Sequence, residues 1–276
     1  MAAVSRVDIA GAIRSVGLSG RPVCVHSSLR SFGWVDGGAD AVIDAALDEG
    51  CTLMVPTHSY SFAVGPPPGR LPEHNGWEHD GVEDWPGSGR IFTVDSDEVS
   101  TEMGAIPAAV LRRIGRVRGD HPIDSLAATG PLAAELIGVQ TPSDVQAPFE
   151  RLCALGGRAL LMGVGLESLT LLHYAEQVAG RRPFIRWANG PDAQAMEVRT
   201  GSCSDGFPKL DGALGGVEQR VSVGESLWRV FPAAAAVKAA VNAITANPSI
   251  TRCERADCGR CRDALLGGPP DSTRST

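Results

Sequence analysis

The sequence predicts an α/β protein: a mixed, largely parallel sheet flanked by helices. Three observations carry that expectation. Strand-like apolar runs at 23–26 and 51–56 bracket a helical stretch at 39–47. Strand, helix and strand at that spacing make a βαβ unit, whose strands must pair in parallel. A third apolar run at 158–162 turns through Gly163-Val164-Gly165 into another helical pattern.

Taken in order, residues 8–16 carry helical periodicity, and Arg21-Pro22 leads into the first strand, 23–26. These strands are unbroken apolar runs, as expected when both faces are covered. Residues 27–38 are punctuated by glycine, and the helix 39–47 and strand 51–56 follow. The rhythm then stops. Residues 60–102 hold Pro66-Pro67-Pro68-Gly69 and most of the acidic excess, and so are expected to form a long irregular insertion. Helix resumes at 107–114, with Pro107 suited to a first turn. A short strand at 126–129, a helix at 131–137 and the strand at 158–162 come next. The helix after Gly163 is expected over 168–179, strand or hairpin over 187–199, and an Ala/Val-rich helix over 232–247 that Asn247-Pro248 stops. One domain over 1–265 is expected, with a disordered tail at 266–276.

The 276 residues are 43% hydrophobic and 21% charged, ordinary for a soluble globular chain. The net charge of −7 gives no support for nucleic-acid binding, which draws on a basic surplus. No apolar run approaches the roughly 18–20 residues of a membrane helix. The N-terminus lacks the basic-then-apolar layout of a signal peptide, so a cytoplasmic location is expected. The acidic residues cluster: nine of them lie in residues 71–102 with Arg90 as the lone base.

Several residues could carry chemistry. The Gly163–Ser168 turn sits where a dinucleotide fingerprint would, but Ser168 replaces the third glycine and no acidic residue follows at the needed distance. A tight strand-to-helix turn is the simpler reading, and it still aims backbone N–H groups outward. On the following helix Thr170, His173 and Glu176 recur at a spacing of three, which puts them on one face. A carboxylate beside an imidazole can orient it as a base. The loop 27–38, with its hydroxyls, glycines and Arg30 ahead of a helix, suits a phosphorylated ligand, although it lacks the ending of a P-loop. His121 is a candidate ligand contact or a turn residue. No Gly-x-Ser-x-Gly elbow is present, which argues against a serine acyl-enzyme.

Together these segments resemble the aminoglycoside N3-acetyltransferases, the antibiotic N-acetyltransferase family. The resemblance is carried by Val25-His26-Ser27-Ser28-Leu29-Arg30-Ser31-Phe32-Gly33-Trp34-Val35-Asp36-Gly37-Gly38, by Pro56-Thr57-His58-Ser59 and by Met103-Gly104-Ala105-Ile106-Pro107. Further blocks are Arg118-x-x-His121-Pro122-x-x-Ser125, Leu161 through Glu176, and Cys203-Ser204-Asp205-Gly206-Phe207. The resemblance implies a fold distinct from the GNAT acetyltransferases. In keeping with that, the nearest segment to a GNAT pyrophosphate loop, 30–35, ends in Val35 rather than Gly or Ala. It implies acetyl transfer from acetyl-CoA to the 3-amino group of an aminoglycoside, conferring resistance. It implies His173 as general base with Glu176 and Thr170 beside it. It also implies coenzyme A on Leu29, Arg30, Ser31, Phe32, Gly33, Val35, Gly37, Gly38 and Ser125. A polycationic acceptor calls for acidic walls, for which Glu167, Asp205 and the 71–102 segment are candidates, with Tyr60 as a further substrate contact. The alternatives are acyl-CoA transfer to another amine, such as a biosynthetic intermediate, or a non-catalytic binding relative. No membrane or nucleic-acid partner is expected, and the chain is expected to act as a monomer or homodimer.

Cysteine spacing offers one more site. Cys253-x4-Cys258-x2-Cys261 has a knuckle-like pattern to which Cys203 could add a fourth ligand for structural zinc. Free thiols are the alternative. Cys24, Cys51 and Cys153 sit in apolar stretches and are expected in the core.

Overall fold

A computed structural model describes residues 3–76 and 89–270 of the chain. Part of the acidic segment (Glu78, His79, Asp80, Glu83 and Asp84) and residues 271–276 of the expected tail lie outside them. The chain opens with α1 (Arg6–Ser15), β1 (Pro22–Ser27), α2 (Gly38–Asp48) and β2 (Thr52–Pro56). Next come β3 (Ala63–Val64), α3 (Ala105–Leu111), β4 (Val117–Arg118), β5 (Leu126–Thr129), α4 (Ala133–Ile137) and α5 (Ala147–Ala154). The second half holds β6 (Arg158–Met162), α6 (Leu171–Val178), β7 (Phe184–Asn189), β8 (Ala195–Thr200) and α7 (Asp211–Leu214). It ends with β9 (Gln219–Val223), β10 (Ser226–Pro232), α8 (Ala233–Ala246) and α9 (Gly259–Leu265).

The main sheet runs in the order β4-β5-β2-β1-β6-β10-β9. Its centre is parallel: β1 pairs with β2 on one side and β6 on the other, so the expected βαβ unit is present. Outward from β2 and from β6 every pairing is antiparallel, so parallel pairing is confined to the three central strands. A smaller antiparallel sheet, β3-β7-β8, lies beside it; its β7–β8 hairpin answers the strand pattern at 187–199.

Alternation along the central strands divides the core in two. Val23, Val25, Leu53, Val55, Leu160 and Met162 face α1, α2 and α3, while Cys24, Met54, Ala159 and Leu161 face the layer of α4, α5, α6 and α8. Both faces being buried is why these strands read as continuous apolar runs. Helix α1 starts at a capping box in which Ser5 accepts from the Asp8 N–H and the Asp8 carboxylate accepts from the Ser5 N–H. Helix α6 turns Leu171, Leu172 and Ala175 into the core, and α8 packs along it.

Candidate active site

Open α/β sheets bind ligands beyond the carboxyl ends of their parallel strands, and here a cavity of about 450 Å³ lies at that edge. Ser27 from the end of β1, Pro56 and His58 from the end of β2, and Val164 and Glu167 from the turn after β6 all line it. The strand ends therefore converge on the place where α6 begins.

Helix α6 supplies the reactive pair. His173 Nδ1 donates to Glu176 Oε2 across 2.9 Å, which fixes the ring and leaves Nε2 as the nitrogen for the cavity. The same carboxylate oxygen accepts from Ser202 Oγ at 2.7 Å, and Arg181 pairs with Oε1. Arg181 is itself held by Thr251 Oγ1 at 2.6 Å. Burial opposes ionisation of Glu176, yet the His173 hydrogen bond and charge, Arg181 and Ser202 outweigh it and hold the carboxyl below its usual range. Glu176 is thus a fixed anion that orients the imidazole. The ring packs on Phe207 with centroids 4.8 Å apart, and on its other side a Cβ at Gly201 would come within 2.7 Å of it. Only glycine fits there.

The remaining sequence candidates divide. Thr170, at the start of α6, and Tyr60, Glu167 and Asp205 all line the same cavity as His173. The 27–38 loop stands beside it: Ser27 reaches the cavity, whereas residues 29–38 do not. Leu29–Phe32 forms a 3-10 turn in which Arg30 is exposed and Leu29 half-buried. Ser31 Oγ is spent on the Ser28 carbonyl and Ser226 Oγ, both at 2.7 Å. Phe32 stacks edge-on against Trp228 in the core, and Val35 is buried there too. Gly33 and Gly37 are exposed, and Gly37 and Gly38 open α2, whose first turn has no side-chain cap.

Ser125 is wholly buried and bonded. Its hydroxyl accepts from Arg118 Nε at 3.0 Å and donates to the Thr57 carbonyl at 2.9 Å. Arg118 is the hub there, donating also to the carbonyls of Thr57, Ser96 and Glu98 and to Ser59 Oγ, with its guanidinium over Phe92. Burial pushes it down to about 10, so it stays charged at neutral pH. His121 is a turn residue, not a cavity contact. It accepts the Asp124 N–H on Nδ1 at 2.8 Å and donates from Nε2 to the Arg199 carbonyl at 2.8 Å.

Sequence reasoning did not single out four of the cavity's polar groups: His58, Asp124, Arg186 and Arg260. His58 stands 3.4 Å from the Tyr60 hydroxyl and 3.9 Å from Asp124. Burial keeps His58 below its ordinary range, with Asp124 pulling the other way. His26, also on the wall, is pushed down to about 3 by burial and by His58, so it is neutral there. His58 and Asp124 lie inside blocks that carried the resemblance, a signal that could have found them; Arg260 had none. Glu102 brings the end of the acidic segment to the cavity, while Glu98 turns away to Arg90.

The four cysteines converge beside this cavity, whose wall Cys203 joins. The Sγ atoms of Cys203, Cys253, Cys258 and Cys261 all lie within 4.8 Å of one another, and all four residues are buried. Cys24 and Cys51 are core residues and Cys153 is half-buried. Among the described residues no helix is long and apolar enough to cross a membrane.

Comparison with known proteins identifies the family. The aminoglycoside N(3)-acetyltransferase IX of Micromonospora chalcea is 34% identical over 186 residues, covering 65% of this chain and 64% of that protein. Aminoglycoside N(3)-acetyltransferase VII of Streptomyces paromomycinus is 36% identical over 183 residues, 64% of this chain and 61% of that one. The chain thus aligns with somewhat less than two thirds of these relatives' length. The crystal structure of aminoglycoside acetyltransferase AAC(3)-Xa shares the fold with a TM-score of 0.71 and 29% identity, over 88% of this chain and 93% of that chain. The model of the aminoglycoside 3-N-acetyltransferase family matches residues 24–245, and the chain belongs to that family.

Proposed function

We propose that this chain transfers the acetyl group of acetyl-CoA to the 3-amino group of an aminoglycoside by direct displacement, with His173 as general base. The observation that carries the reading is the His173–Glu176–Ser202 arrangement on the wall of the strand-end cavity. An ammonium cannot attack a thioester, so the amine must be uncharged or lose its proton as it reacts. His173 Nε2 accepts that proton while Glu176 compensates the charge appearing on the ring. The new C–N bond forms, the C–S bond breaks, and the coenzyme A thiolate leaves, taking up the proton from His173.

The carbonyl oxygen becomes an oxyanion on the way and needs N–H donors. In the 27–33 loop the N–H groups of Ser28, Ser31 and Gly33 already serve the carbonyls of Met162, Ser28 and Arg30. The 163–167 turn, which brings Val164 and Glu167 to the cavity, is therefore the better source. Thr170 adds a hydroxyl on the same wall. Coenzyme A is assigned to exposed Arg30, Gly33 and Gly37 and half-buried Gly38, with the start of α2, which no side chain caps, for phosphate. Leu29 and Ser31 shape that turn, Phe32 and Val35 anchor it in the core, and Ser125 belongs to the packing behind it. Tyr60, Glu167 and Asp205, joined by Glu102 and Asp124, form the acceptor side.

One observation favours a different amine acceptor. Arg186 and Arg260 line the cavity among those carboxylates, and an amine bearing an anionic group would match that mixture better than a pure polycation. Release of free thiol from acetyl-CoA, measured across a panel of aminoglycosides and anionic amines, separates the readings. Turnover is expected with 2-deoxystreptamine aminoglycosides; turnover with the anionic amines alone would transfer the proposal to that class.

A further inference from the structure

The cysteine cluster plays no part in acyl transfer, yet its surroundings are organised around the active site. Cys203 follows the β8 strand, whereas Cys253, Cys258 and Cys261 come from the short stretch between α8 and α9 and from α9 itself. Their sulfurs form a group of their own within the interior, with no aliphatic side chain among them. No disulfide joins them. Two disulfides would draw the sulfurs into two bonded pairs, each about 2 Å apart. A tetrahedral ion with bonds of about 2.3 Å to each sulfur instead sets all four about 3.8 Å apart. Four sulfurs mutually within 4.8 Å fit the tetrahedron. The Cys253 N–H points at Cys261 Sγ from 3.3 Å, an orientation that stabilises negative charge on a thiolate. Four thiolate donors, with neither imidazole nor carboxylate in the group, are the donor set of structural zinc, a closed site with no position open for catalysis.

The ion's position gives it a second role. Gly201 and Ser202, immediately before Cys203, abut the His173 ring and donate to Glu176. Asp205 and Arg260, close in sequence to Cys203 and Cys261, are on the cavity wall. A Cβ at Gly206 would come within 2.0 Å of the Thr251 carbonyl oxygen, so the two segments meet backbone to backbone. Thr251 in turn holds Arg181, the partner of Glu176.

We propose that Cys203, Cys253, Cys258 and Cys261 bind one structural zinc ion, which clamps the C-terminal segment to loop 201–205 and so fixes the wall against which His173 and Glu176 are oriented. Metal binding does not depend on the acetyl-transfer reading, and its test uses no substrate. The full chain, purified without added zinc, is expected to carry about one zinc per chain. A mercurial reagent should release that zinc as four thiols become titratable. Zinc below roughly a tenth of an equivalent, or four cluster thiols that react without metal release, overturns the site. Cys258→Ser should lose the metal; should that variant fail to fold, the wild-type ratio of zinc to released thiol decides alone. The clamp is read by hydrogen exchange before and after metal removal. Exchange roughly tenfold faster at 201–205 and 253–261, with α2 unchanged, is expected. No change at 201–205, or equal acceleration throughout the chain, overturns the local clamp.

Discussion

At the scale of residues, the central unit is an imidazole locked by a buried carboxylate. His173→Ala should lower kcat by about 10²–10⁴-fold, the usual worth of a positioned general base, while coenzyme A affinity measured by calorimetry stays near wild type. Glu176→Gln probes the lock through stability. The folded-state carboxyl is held below its ordinary value of 4.5, so its stabilisation is fully present above that value and is lost as pH falls through the lower folded one. Urea unfolding should therefore find the wild type more stable than Glu176→Gln at pH 7, with the gap closing below about pH 4.5. A gap that is constant with pH would mean that Glu176 is not ionised in the folded protein. The pair was legible in the sequence because three residues along a helix is a contact. Its other partners were not: Ser202 is 26 residues from Glu176, on a different element, and no local spacing reports such a meeting.

At the scale of elements, legibility followed burial. The central strands and the long α8 announce themselves because tertiary packing agrees with their local pattern. The β9–β10 hairpin and α9 do not. Strand β9 is an edge strand of mostly exposed residues, Gln219, Arg220 and Ser222 among them. Strand β10 has Arg229 at its middle, held by Glu218 and Asp211 across the surface. Helix α9 is a short segment with Arg260, Cys261, Arg262 and Asp263 in a row, and little apolar periodicity of its own. The irregular stretch before α3 is likewise ordered by distant side chains: Arg116 donates to the carbonyls of Val94, Asp95 and Ser96. Arg118 on β4 gathers the carbonyls of Ser96 and Glu98 to those at the end of β2. Arg118→Met would strip the charged donor from the carbonyls of Thr57, Ser96 and Glu98, leaving each to its second donor, and is expected to cost about 3 kcal/mol. It should also raise hydrogen exchange at 94–102 ahead of the sheet. A loss under about 0.5 kcal/mol would show that water replaces the guanidinium without penalty.

At the scale of the molecule, the acidic surplus acquires a location. Of the acidic run at 71–102, Glu102 reaches the cavity, and it joins Asp124, Glu167 and Asp205, drawn from three other segments. The fold thus assembles from scattered residues an electrostatic surface that the run alone only suggested, and adds Arg186 and Arg260, which set its limits. Outside the cavity, the loop before α2 presents exposed Arg30, and no side chain caps the first turn of α2. The most direct measurement is the position of the acetyl group in the product. After incubation with acetyl-CoA and a 2-deoxystreptamine aminoglycoside, NMR should find a single acetyl on the 3-amino nitrogen, formed by the wild type and essentially lost with His173→Ala. Acetylation at another nitrogen, or the same product formed at a similar rate by His173→Ala, would contradict the assignment of this site.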